Sequence, residues 1–105
     1  MIGIVMNVRT KPDRSDEFAR LVAQLQRDVR EHEPGVKLFQ IMRGAEDPAL
    51  FVFTEVFADE AAHARHPDMP YHQAMSAAGW ACVEGEPEIR RFVPLTDQHI
   101  MGEME

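Results

Sequence analysis

FVFTEVFADEAAHARHPDMPYH, Phe51 to His72, decides the fold, because its hydrophobic period changes within one short run. Up to Phe57 the chain alternates: Phe51, Phe53, Glu55 and Phe57 share one face, and Leu50, Val52, Thr54 and Val56 the other. Asp59 is then placed to cap a short helix, DEAAHARH, which Pro67 stops. Pro70 suits the first position of a further helix, YHQAMSAAGWACV. The same stretch gathers Glu55, His63, His66, Tyr71 and His72, more chemistry-bearing side chains than any other run of this length.

Working backwards, Val36 to Arg43 (VKLFQIMR) reads as a strand joined to the next by a polar loop, Gly44 to Ala49, so the two form a hairpin. Between Ser15 and Glu33 the period is helical. Phe18, Leu21, Val22, Leu25 and Val29 make one stripe, Asp13 or Ser15 is a candidate cap, and Pro34-Gly35 ends the helix. Met1 to Arg9 (MIGIVMNVR) opens the chain as a strand with Ile2, Ile4, Met6 and Val8 on one face and Gly3, Val5, Asn7 and Arg9 on the other. Working forwards, EPEIRRFV (Glu86 to Val93) is the last strand, at an edge that tolerates Pro87. Residues 1–94 thus form one domain in β-α-β-β-α-β order with a broken second helix, an α+β ferredoxin-like fold, and 95–105 are expected to form an arm or tail.

The strands are mainly apolar on both faces, whereas an antiparallel sheet with one face in water should alternate apolar and polar. One face covers the helices, and a second copy of the chain is the economical cover for the other, so a homodimer with sheets packed face to face is expected.

Composition narrows the function. The 105 residues carry 11 Lys+Arg against 18 Asp+Glu, a net charge of −7, which argues against nucleic acid and anionic membranes as partners. No apolar run is long enough for a membrane span, the N-terminus enters a strand with no leader pattern, and a lone cysteine, Cys82, fits an inert buried thiol; the expected location is cytoplasmic.

His63 and His66 share a helical face, but their spacing with His72 matches no standard zinc pattern, so no metal is expected. Asn7 is either a satisfied structural amide or a cavity-lining donor. Glu55, flanked by Phe53 and Phe57, either meets an arginine (Arg9, Arg43, Arg90 or Arg91) or has a raised pKa suited to acid–base work; pairing is the expectation. Trp80 and Tyr71 are candidates to line an aromatic cavity.

Glu55, Phe57, Asp59, Glu60, Ala62 and His66, followed by Pro70, Tyr71 and His72, make a pattern that resembles the antibiotic biosynthesis monooxygenase superfamily. The E-P-G of Glu33 to Gly35 and the opening strand with its K-P-D turn fit as well, and the resemblance covers about residues 2–94. It implies a dimeric α+β barrel with a pocket between sheet and helices in each subunit. Members include cofactor-free monooxygenases of quinols and phenols, haem-degrading enzymes and an isomerase of a phosphorylated sugar. Ser76 stands where the haem-degrading branch has a histidine, which disfavours that branch. The family has histidine directly after the proline; here Tyr71 precedes His72, which leaves open which of His66, Tyr71 and His72 faces the pocket.

The resemblance therefore implies a monooxygenase that needs no cofactor and oxidises a small phenol or hydroquinone with molecular oxygen. In that reading His66 deprotonates the phenol, Tyr71 or His72 binds an oxygen, and Asn7 fixes the substrate. Phe53, Glu55 and Trp80 line the substrate site. An isomerase of a small carbonyl compound, with Arg43, Arg90 and Arg91 as its only plausible anion subsite, and a non-catalytic dimeric binding domain are the alternatives.

Overall fold

The computed structural model describes residues 1–97. Its elements are β1 (Ile2–Arg9), α1 (Ser15–His32), β2 (Val36–Arg43), β3 (Leu50–Phe57), α2 (Glu60–Arg65), α3 (Pro70–Ala81) and β4 (Glu88–Phe92). The strands make one antiparallel sheet in the order β2-β3-β1-β4, the ferredoxin-like split arrangement. The second helix is broken as expected: α2 ends at Arg65, a 3₁₀ turn spans His66–Asp68, and Pro70 opens α3. Most of residues 95–105 lies outside the described residues.

Register explains which face is buried. Val8 pairs with Phe51, Met6 with Phe53, Ile4 with Glu55 and Ile2 with Phe57, so these side chains share the face under the helices. Phe51 and Phe53 meet Phe18, Val22, Leu25 and Val29 of α1 in the main core, while Ile2, Ile4 and Phe57 form a second cluster with Ala62 of α2. At about 25 cal/mol per Å² of apolar area removed from water, each fully buried phenylalanine contributes roughly 2–3 kcal/mol. Phe57 has no exposed surface, so it anchors the α2 end of the sheet.

Asp59 caps α2 as expected, its Oδ1 accepting from the Ala62 N–H at 2.8 Å. The start of α1 differs from expectation. Neither Asp13 nor Ser15 caps it: a 3₁₀ turn at Pro12–Arg14 leads straight into the helix, Ser15 is already helical, and its buried hydroxyl bonds Thr10 at 2.6 Å instead. Side chains of α1 also cover the β2 edge, where Gln26 accepts from the Ile41 N–H at 2.7 Å and Arg30 donates to the Phe39 carbonyl at 3.2 Å.

Among the described residues, no helix covers the opposite sheet face. Leu38, Met42 and Phe92 on it are 43%, 51% and 50% exposed, and Val5, Val52 and Val56 are half-buried.

Candidate functional site

Pro34 sets the first element of the site. Proline disfavours the α conformation of the residue before it, and Glu33 leaves α1 at φ −121°, ψ 83° while its N–H still bonds Val29. The next residue but one packs directly on α2: a Cβ on Gly35 would come 2.8 Å from that of Ala62, so only glycine permits this approach. The Gly35 carbonyl also accepts from the Ala58 N–H at 2.8 Å. The E-P-G turn therefore holds the end of α1 against the start of α2.

That contact brings a carboxylate under two helices. His66 Nδ1 lies 3.1 and 3.2 Å from the two oxygens of Glu33, and the Tyr71 hydroxyl donates to Glu33 Oε2. Glu33 and His66 are both 7% exposed. The ring of His66 is enclosed by Phe39 at 5.4 Å, Phe57 at 5.5 Å and, edge-on, His72 at 4.7 Å between centroids. Glu33 as acceptor fixes the tautomer with the proton on Nδ1 and leaves Nε2 a lone pair.

Burial pushes the His66 imidazole below its ordinary value, and the opposing attraction of Glu33 does not cancel it. His72 is lowered by burial too, again against Glu33. Both rings are thus neutral acceptors near pH 7. Burial, with the bond to Glu33 second, raises the Tyr71 phenol, which stays a donor. His63 packs against Phe57 with ring centroids 4.9 Å apart and planes tilted by 50°.

Next to the cluster, between α1, α3 and the sheet, is a cavity of about 50 Å³ whose walls include Phe18, Phe53, His72, Met75, Ser76 and Trp80. Of the three candidates at the break, His72 lines it, while His66 and Tyr71 stand behind on Glu33. Phe53 and Trp80 are among the residues that line it. The volume is below the ~150 Å³ of a cavity that accepts benzene, so an aromatic ligand requires α3 to give way. Trp80 is the half-exposed part of that wall.

Asn7 is not brought to this site. It lies on the β1 face opposite Met6 and Val8 and donates to Glu88 on β4 at 3.3 Å, because strand alternation sends odd-numbered residues away from the helices. Glu55 is on the helix side but not in the cavity wall, and the expected arginine pairing is absent. Arg9 pairs with Asp47, Arg43 with Asp16, Arg90 with Glu88 and Arg91 with Glu60. Arg9 and Arg43 sit where the sheet ends near Phe51, and Arg90 is on the far face, so none reaches Glu55. For the same reason Arg43, Arg90 and Arg91 form no anion subsite.

Among the described residues one trio, Asp28, Glu31 and His32, has ligand-type atoms close together, but it is at the surface of α1 and ordinary for exposed charge. Cys82 is fully buried with its thiol on the Ala78 carbonyl. In the sequence Glu33 stands out only as part of the E-P-G match. The signal that could have found it is its position: it continues the apolar stripe of Val22, Leu25 and Val29 by one more turn, where a carboxylate is out of place.

The profile of the antibiotic biosynthesis monooxygenase family matches residues 1–78, and the chain belongs to that family. A crystal structure from Caulobacter crescentus, provisionally named an antibiotic biosynthesis monooxygenase, is similar at 25% identity over 90% of each chain, with a TM-score of 0.85. PA3566 from Pseudomonas aeruginosa shares the fold at 20% identity, TM-score 0.81, over 90% of this chain and 94% of that one. Rv0793 from Mycobacterium tuberculosis does so at 16% identity, TM-score 0.80, over 90% of this chain and 95% of that one. A comparison with curated proteins found no significant match. No helix among the described residues is long and apolar enough to cross a membrane.

Proposed function

We propose that the protein is a homodimeric monooxygenase that oxidises a small phenol or hydroquinone with molecular oxygen and draws its electrons from the substrate. The observation that carries this reading is the buried Glu33–His66 pair standing behind His72 at the wall of an apolar cavity. Oxygenation of a hydroquinone needs a proton taken up and later returned. The phenolate passes electrons to O₂, a ring carbon–oxygen bond forms, and the O–O bond breaks to leave a ring carbonyl. The distal oxygen leaves as water with the phenolic proton and the proton of the attacked ring C–H. Substrate and O₂ thus balance against hydroxyquinone and water.

His72 takes the phenolic proton, because it is the base in contact with the cavity. His66 and Glu33 behind it stabilise the resulting positive charge, as a carboxylate does for a catalytic imidazole. Phe53, Met75 and Trp80 keep water from the reactive carbon. Tyr71, held on Glu33, orients that carboxylate rather than binding substrate.

The partner copy covers the sheet face opposite the helices, where exposed Leu38, Met42 and Phe92 form an apolar surface. The lining of the cavity includes no lysine or arginine, which speaks against a phosphorylated isomerase substrate.

Oxygen uptake by purified, metal-stripped protein with a panel of monocyclic hydroquinones and phenols tests the reading. Uptake above autoxidation that His72→Ala lowers by about 10² or more, as expected for loss of a general base, supports it. Background rates with every substrate, alongside ligand-induced thermal stabilisation, would favour a binding domain.

A further inference from the structure

The cavity wall holds a polar side chain that the proposed reaction leaves unused, the hydroxyl of Ser76 on α3. Ser76 follows His72 by four positions, so the two lie on one face of the helix with Cβ atoms about 5–6 Å apart. A serine inside a helix often returns its hydroxyl to the carbonyl four residues before it. The half-buried Ser76 hydroxyl makes neither that bond nor any other with the described residues. Apart from these two groups and the indole N–H of Trp80, the lining is apolar, with Val8, Phe18, Phe53 and Met75 among it. The wall therefore offers a ligand one imidazole and one unengaged hydroxyl, and no carboxylate or lysine or arginine cation.

We propose that Ser76 is the specificity-determining residue of this site: its hydroxyl holds the second oxygen of a para-dihydroxybenzene whose first oxygen faces His72. The proposal rests on the reading that His72 receives a phenolic proton. The two oxygens of such a diol are separated by the full width of the ring, a span of the order of one helical turn, about 5.4 Å. In catechol the oxygens are neighbours, and a monophenol has no second oxygen to offer the serine. Both side chains ride on α3, so a displacement of that helix to admit a ring leaves their spacing unchanged. A serine hydroxyl also suits both ends of the reaction. It accepts from the second phenolic O–H of the substrate and donates to the carbonyl that replaces it in the hydroxyquinone. A methyl group in that place would leave the hydroxyl unpaired against an apolar wall, which is the physical source of the selection.

Anaerobic calorimetric titrations of wild type and Ser76→Ala with hydroquinone, para-cresol and catechol test the assignment without turnover. Trp80, the only tryptophan of the chain and part of the same wall, reports by its fluorescence that each ligand is seated there. Ser76→Ala should weaken hydroquinone about three- to tenfold, the range of one neutral hydrogen bond. Para-cresol, which has a methyl group in place of the second hydroxyl, should bind the variant no more weakly than the wild type, and catechol should follow para-cresol. A merely structural effect of the substitution would weaken all three alike. An equal loss for hydroquinone and para-cresol, no loss for hydroquinone, a catechol loss as large as that of hydroquinone, or no binding of any of them overturns the proposal. If the affinities behave as described while no oxygen is consumed, the Ser76 subsite stands and the oxygenase reading alone fails.

Discussion

His66 Nδ1 and the Glu33 carboxylate meet at 3.1 Å although they lie 33 positions apart in sequence, and both are nearly excluded from water. The pair joins the end of one helix to the break in another, so it serves the architecture as well as the proposed chemistry. Removing the carboxylate separates these uses. Glu33→Ala leaves the His66 N–H and the Tyr71 hydroxyl without this acceptor, at about 1–3 kcal/mol for the buried His66 N–H and less for the half-buried hydroxyl. Urea unfolding should show a loss of about 2 kcal/mol or more. Glu33→Gln keeps an oxygen for one of the two donors and should lose less stability, but its turnover should fall with the lost charge. Equal stability for Glu33→Ala and wild type would mean the pair carries no structural load.

His72 and His66 are expected to differ in how they fail. His72→Ala removes the base in contact with the cavity and should lower kcat by about 10² or more. His66→Ala acts through His72 and should cost less in rate but more in stability, since it empties a site enclosed by Phe39 and Phe57 and leaves Glu33 with the Tyr71 hydroxyl as its remaining side-chain donor. Steady-state kinetics beside thermal melts would show the crossover. A larger kinetic loss in His66→Ala would return the role of base to His66.

Glu55 should give stability a negative slope with pH. Burial and Glu33 raise its pKa from 4.5 to about 7. Below the unfolded value the group is protonated in both states and costs nothing. Between pH 4.5 and 7 the unfolded chain releases a proton that the folded chain keeps, so stability falls as pH rises. Above the folded value the cost is complete, on the order of 3 kcal/mol. The lowered histidines His66 and His72 act oppositely, because the unfolded chain binds their protons first as pH falls below the ordinary 6.5. Glu55→Gln should therefore be more stable than wild type at pH 8 and no more stable at pH 4. Chemical denaturation at both pH values checks the sign.

The sheet face opposite the helices should set the oligomeric state. Leu38→Glu and Met42→Lys change side chains already 43% and 51% exposed, so they should leave the subunit fold intact while breaking an apolar contact with a second copy. Sedimentation equilibrium should show a dimer for the wild type and a monomer for the double variant, with matching far-ultraviolet circular dichroism. A monomeric wild type would remove the dimer from the proposed function.

Much of the fold was legible because each element carries its own period and its own punctuation. Val36–Arg43 and Leu50–Phe57 have their observed limits in the alternating pattern itself. Asp59 and Pro70 mark the starts of α2 and α3 through local chemistry that needs no tertiary partner. The start of α1 was less legible, since a 3₁₀ turn can precede a helix without altering the residues that would otherwise cap it.

The site was legible only as a list of residue types. His66, Tyr71, His72, Phe53 and Trp80 stand out in sequence, yet their division into cavity wall and supporting pair depends on helix rotation of about 100° per residue and on where α3 restarts. Asn7 looked equally eligible, and strand alternation alone set it on the opposite face from the cavity. By itself, the sequence determined the elements, their order and the family, because propensity, capping and hydrophobic period act over a few residues. Tertiary structure decided that Glu33 meets His66 and Tyr71 and that Glu55 meets no arginine. Those outcomes depend on which distant surfaces share the interior, where water is excluded and a charge is governed by its nearest neighbours.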